Sequence, residues 1–92
     1  MKVVNLEILD ECGRQHADCA ASLWAWLAEA RAADWKSPAD LKRRYPSASV
    51  LPGDRIIFNI KGNSYRLDTK ISFSARLILI KRVGTHAEYS KW

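Results

Sequence analysis

Arg66, His86 and Tyr89 have the side-chain types that cleavage of an RNA phosphodiester needs. RNA is cut when its 2′-OH attacks the adjacent phosphorus, leaving a 2′,3′-cyclic phosphate and a free 5′-OH. A protein assists by taking the 2′-OH proton, stabilising charge on the phosphoryl oxygens and protonating the leaving oxygen. The forked guanidinium of Arg66 suits the second task, because it grips two oxygens at once. His86 is the most economical acid or base, since an ordinary imidazole titrates near neutrality. Tyr89 lies three residues on, on the same helical face, where it could stack on a base or donate a proton. Each has a plainer reading too. Arg66 could pair with Asp68 or Glu88, His86 could cap a helix or pack on a sheet, and Tyr89 could be a core tyrosine. Glu88 itself is explained by a helix cap.

The charge pattern suits a polyanion. Residues 1–53 carry seven acids and seven bases, whereas residues 54–92 carry three acids and eight bases, so the whole net charge of +5 sits in the second half. Segregated positive charge is the footprint of a nucleic-acid partner, although solubility alone also explains a modest charge. Lys61, Lys70, Arg76, Lys81 and Arg82 are expected to hold the RNA backbone, with Lys36 and Asn63 as further contacts. Asn59 and Asn63 also suit turn-stabilising roles. Asp68 is the exception, a negative charge on the face otherwise offered to RNA.

No cofactor or metal is expected. The basic half has no cluster of carboxylates to hold two magnesium ions. Cys12, His16 and Cys19 lie close together, with Asp10 or Asp18 as further donors, but their spacing fits no common zinc pattern. The two cysteines read as buried thiols, and without a CxxC pair they make no disulfide framework.

The elements that must position these groups follow from the pattern. Met1 to Asn5 reads as a short strand and Leu6 to Cys12 as a helix. Gly13 is expected to interrupt it, with a long helix restarting at Arg14 or Gln15 and running to about Ala33. At about 100° per residue, Cys19, Leu23, Trp26, Leu27 and Ala30 share its core face, with Trp24 at the margin as a half-buried residue or a partner contact. Ser37-Pro38-Ala39-Asp40 starts a second helix, with serine at the cap and proline at the first position. Pro46 ends it near Tyr45, and Ser47 to Gly53 is expected to be a loop.

From Arg55 the pattern turns to strands. Arg55–Ile60 is rich in branched and aromatic residues. Lys61-Gly62-Asn63 makes the turn. Ser64–Ser72 alternates, with Tyr65, Leu67, Thr69 and Ile71 on one side and Arg66, Asp68 and Lys70 on the other. After a turn near Ser74-Ala75, Arg76–Val83 is a strongly apolar, central strand. Gly84 turns out of it, and Thr85-His86-Ala87-Glu88 matches a capping box that opens a short C-terminal helix. Helices followed by a three-strand antiparallel meander make an α+β fold, to which Val3 and Val4 could add a strand.

A chain of 92 residues with 48% apolar side chains is expected to form one domain over residues 1–92. No apolar run approaches the roughly 20 residues that span a bilayer, and the start lacks a secretory signal. A cytoplasmic location is the expectation.

Three segments, in order, carry a resemblance. They are Trp35-Lys36-Ser37-Pro38 with Asp40-Leu41-Lys42, then Phe58-Asn59-Ile60-Lys61-Gly62-Asn63 with Tyr65-Arg66-Leu67, and Gly84-Thr85-His86-Ala87-Glu88-Tyr89. Together they resemble the HigB family of toxins from type II toxin–antitoxin pairs, from about Trp35 to Tyr89. The resemblance implies a RelE-like fold, with N-terminal helices packed on one face of a small antiparallel sheet. It implies an endoribonuclease (an mRNA interferase) acting on the translating ribosome, which the residues read as metal-independent, and an antitoxin partner with a helix-turn-helix domain. Catalytic residues vary across the wider superfamily, so the family does not settle which side chains act here. The main alternative is a non-catalytic module of the same fold that binds RNA, the ribosome or a partner protein. A DNA-binding regulator is weaker, because no helix pair has both a short turn and a basic recognition face.

Overall fold

The computed structural model describes residues 1–62 and 64–92. The elements run β1 (Lys2–Val4), α1 (Leu6–Gln15), α2 (Ala17–Ala32), α3 (Pro38–Arg44), β2 (Ser49–Leu51), β3 (Arg55–Ile60), β4 (Tyr65–Ser72), β5 (Leu77–Thr85) and α4 (His86–Tyr89). The strands form one mixed sheet in the order β1-β5-β4-β3-β2. The expected α+β class holds. β1 pairs in parallel with the start of β5, and the remaining neighbours are antiparallel.

Three boundaries differ from the sequence expectation. The helical break falls at His16 rather than Gly13, because α1 runs on to Gln15. Gly13 instead admits α2, since a Cβ there would lie 3.3 Å from that of Ala20. Residues 49–51 form an edge strand where a loop was expected. Val50 is exposed there, so this short strand lacks the half-buried alternation by which strands are read. The last strand extends through Gly84 to Thr85 and takes its place in the pairing with β4.

Side chains from one face of the sheet meet the helices. Ile56, Phe58, Ile60, Leu67, Ile71, Ile78 and Ile80 join Leu9, Cys19, Leu23, Trp26 and Leu27 in one buried cluster. Phe58 is fully buried at its centre. Trp26 from α2 meets its ring at 5.2 Å, and Tyr45, just after α3, does so at 5.2 Å from another side. Both are edge-to-face contacts, which add directional attraction to the area buried. α3 begins as its sequence demands, with the Ser37 hydroxyl accepting the Asp40 amide at 3.3 Å.

The opposite face of the sheet carries the polar residues. Cross-strand neighbours align Asn59, Arg66 and Gly84 in one row and Ile57, Asp68 and Arg82 in the next. This second row depends on a bulge. The β4–β5 register shifts between Asp68 and Thr69, so that Asp68 faces Arg82 while Thr69 faces Ile80. Lys81 is the extra residue. Without it, Arg82 would lie on the same face as Ile80, which is buried.

Phe58→Ala should cost about 3–5 kcal/mol of stability, as removal of a fully buried ring does. Ser37→Ala should cost only about 1 kcal/mol, the usual worth of a helix cap. Urea denaturation of the two variants beside the parent chain measures both.

Candidate functional site

The residues singled out for chemistry arrive by different routes. Arg66 stands on β4, where strand alternation turns it away from the helices. The β3–β4 turn delivers it: Lys61 and Gly62 take left-handed conformations, with φ of 52° and 65°. His86 and Tyr89 belong to α4. The Thr85 hydroxyl accepts the Glu88 amide, and the Glu88 carboxylate accepts the Thr85 amide, a complete capping box. The His86 amide donates to the Ser64 carbonyl at 3.1 Å. This bond ties the helix start to the turn that precedes Arg66.

These three side chains meet. A guanidinium nitrogen of Arg66 lies 2.9 Å from His86 Nδ1, and its central carbon lies 5.4 Å from the Tyr89 ring centroid. Arginine has no acceptor, so it must be the donor. Nδ1 therefore holds a lone pair, and in neutral His86 the proton sits on Nε2. His86 is exposed, while Arg66 and Tyr89 are half-buried.

The basic residues expected to hold RNA are dispersed. Lys61 pairs with Asp18 at 3.0 Å. Lys70 is exposed on the same face as Arg66, two rows along. Lys81 is the exposed bulge residue of β5. Arg76 pairs with Asp34 at the far end of the β4–β5 hairpin. The charge of Lys36 also reaches Asp34, so these two cations lie away from Arg66. Asn63 falls outside the described residues.

The expectation for Asp68 needs correction. It does not offer a negative charge to a ligand, because it is 1% exposed. Arg55 donates to both of its oxygens, at 2.9 and 3.1 Å, and Arg82 donates at 3.0 Å. A buried carboxylate demands such partners. Arg82 therefore braces the sheet, and its guanidinium stacks 4.3 Å from the Trp92 ring centroid. Sequence reasoning gave Arg55 and Trp92 no part. The only available signal for Arg55 was the cross-strand spacing that sets it diagonally from Asp68.

On the helical face of β4, the buried Tyr65 donates to Asp18 at 2.8 Å. That bond, with burial, pushes the Tyr65 phenol up to about 12. His16 meets the same ring at 5.6 Å. Cys12 and Cys19 are free and buried, with sulfurs 3.5 Å apart. Burial, then the neighbouring thiol, pushes Cys12 up to about 12, which suits an inert packed thiol. Among the described residues, no three His, Cys, Asp or Glu side chains are grouped as a metal ion needs. No helix among them is long and apolar enough to cross a membrane. A cavity of about 530 Å³ lies between α1 and the end of β5 and reaches His16, Arg82 and Glu88 of α4, next to the site. It is lined by both signs of charge, among them Glu7, Glu11, Arg14 and Lys81.

Three carboxylates are held below their ordinary values. The Thr85 amide and hydroxyl lower Glu88, the Tyr65 hydroxyl and Lys61 lower Asp18, and Arg76 lowers Asp34. A depressed carboxylate stabilises the fold above its ordinary pKa, and that contribution is lost as pH falls through the lower folded value. The melting temperature should therefore drop as pH is taken below about 4.5, the ordinary value for Glu88. Glu88→Gln should flatten part of that drop. Thermal melts from pH 7 to pH 3 measure it.

The sequence matches the HigB_toxin family model, described as the RelE-like toxic component of a toxin–antitoxin system, over residues 19–92. The match takes in α2 as well as the three segments noted in the sequence. No curated protein matches the chain. With most of its length covered, and with the α+β architecture described above, the chain belongs to the HigB toxin family, whose counterpart is an antitoxin.

Proposed function

We propose that this toxin is a metal-independent endoribonuclease that cleaves mRNA on the translating ribosome, in the cytoplasm, and that its antitoxin carries a helix-turn-helix domain. The bond from Arg66 to His86 Nδ1 carries this reading. It sets a charge stabiliser beside an acid–base group on an accessible surface.

The chemistry follows from that bond. A scissile phosphate competes for the Arg66 guanidinium, which offers two parallel donors to its oxygens. His86 Nδ1 is then released and turns to the 2′-OH as general base. The 2′-oxygen attacks phosphorus, the bond to the 5′-oxygen breaks, and Arg66 offsets the charge that builds on the phosphoryl oxygens. Tyr89 donates its phenolic proton to the leaving 5′-oxygen, which departs as the free 5′-OH. Lys70, on the same face as Arg66, and Lys61, in the β3–β4 turn, would then contact the RNA backbone. Lys61 would exchange Asp18 for phosphate, and this exposed pair is weak enough to permit it.

The reading is tested by mapping mRNA 5′ ends after induced expression. The parent chain should produce new ends on ribosome-bound messages. Arg66→Ala should reduce cutting by about 10²–10³-fold, in the range for loss of a charge stabiliser. Arg66→Lys should restore only part, because an ammonium lacks the fork. His86→Ala should reduce cutting by about 10²–10⁴-fold, as loss of a general acid or base does. Intact transcripts with ribosome binding retained would instead identify a non-catalytic binding module.

A further inference from the structure

Helix α4 has one turn and buries none of its residues. So short a helix does not hold its own shape in water, since a first turn orders several dihedrals for a single bond. Its capping box orders the entry, yet nothing in the box orients the Tyr89 ring. That contact comes from Trp92. The indole meets the Tyr89 ring edge-on, with centroids 5.4 Å apart at 76°. It also lies over Gly84, where a Cβ would come within 3.1 Å of indole Cζ2 and 3.2 Å of Glu88 Cβ. Only a residue without a side chain leaves room for the helix and the indole to sit this close to β5.

The indole is held in turn. Arg82 stacks 4.3 Å from its centroid, and the buried Asp68 fixes Arg82. An indole is the best aromatic ring for a cation–π contact, and arginine its more frequent partner. A continuous series of directional contacts therefore runs from the buried carboxylate through Arg82, Trp92 and Tyr89 to the guanidinium that holds His86. Trp92 is the only member on the stretch of chain that follows α4, so it closes the helix onto the sheet.

We propose that Trp92 is a positioning residue, clamping α4 to β5 through Arg82 and Asp68 so that Tyr89 and His86 stay in place over Arg66. Its kinetic consequence rests on the ribonuclease reading above, and its structural consequence does not. Trp92 need not touch the substrate. Its effect is transmitted through the Tyr89 ring, and misplacement of a reacting group by about 1 Å can cost about 10²-fold in rate.

Two measurements on the full chain test this. Nitrogen NMR of the His86 ring, above its titration, should find the proton on Nε2 and Nδ1 accepting from Arg66 in the parent. Trp92→Ala should replace that signature with a mixture of tautomers, and Trp92→Phe should restore it. In single-turnover cleavage of ribosome-bound mRNA, Trp92→Ala should slow the chemical step by about 10–100-fold. Half-saturating substrate should change by less than about threefold, and Trp92→Phe should recover most of the rate. Trp92→Leu keeps an apolar cover over Gly84 without a ring, and serves if the alanine variant does not fold. It should fold and still lose both the tautomer signature and the rate. An unchanged His86 signature and unchanged cleavage in a folded Trp92→Ala or Trp92→Leu chain would overturn the proposal. If the parent cleaves no RNA while its His86 signature still depends on Trp92, the ribonuclease reading falls and the positioning role stands.

Discussion

A carboxylate with 1% exposure sits in the middle of the polar face of this sheet. Asp68 leaves water only because two guanidinium groups replace its hydration, Arg55 from β3 and Arg82 from β5. An uncompensated charge at that depth would cost several kcal/mol. The arrangement ties three neighbouring strands together across their outer face. It also fixes Arg82, on which Trp92 stacks. The cation-rich surface is thus partly self-neutralised, and the net positive charge of the second half is not all presented to a ligand. The Arg55 guanidinium holds its proton even more tightly than usual, chiefly through its bonds to Asp68.

The two faces of the sheet divide the work. The helical face is a packed interior centred on Phe58, with ring contacts from Trp26, Trp35 and Tyr45. It gives β3 and β4 a rigid backing. The other face carries Arg66 and the short helix that meets it. Groups on a rigid strand keep their spacing, and groups on a single helical turn do not unless something holds the turn. Here the capping box, the Ser64 carbonyl and the contacts around Trp92 do so. The β5 bulge links the faces, because the same one-residue shift that brings Arg82 onto Asp68 also brings Gly84 opposite Arg66.

Much of the architecture was legible residue by residue. Ser37-Pro38 started α3 and Thr85 with Glu88 capped α4 because each signal is local, a side chain bonding to an amide three positions away. Alternation in β4 correctly separated Tyr65 and Leu67 from Arg66, since a strand has a period of two. The errors arose where local rules met long-range packing. Gly13 looked like a helix breaker, but tertiary contact with Ala20 uses its missing side chain inside a helix. Residues 49–51 looked like loop, and became strand only because β3 offers an edge to pair with.

Residue types alone singled out a guanidinium, an imidazole and a phenol as the groups with charge-stabilising or acid–base chemistry, and periodicity placed Arg66 on the polar face of its strand. The order of helices and strands, and with it the α+β class, also followed from local chemistry. Tertiary structure decided that Arg66 and His86, twenty residues apart, lie within hydrogen-bonding distance. It also decided that Arg55 and Arg82 converge on the buried Asp68, offsetting its charge and leaving the cluster at a net +1, and that Trp92 packs on the last helix. The physical reason is register. A β-bulge shifts side chains by one residue and so from one face to the other, and no local pattern of charges encodes where that extra residue falls.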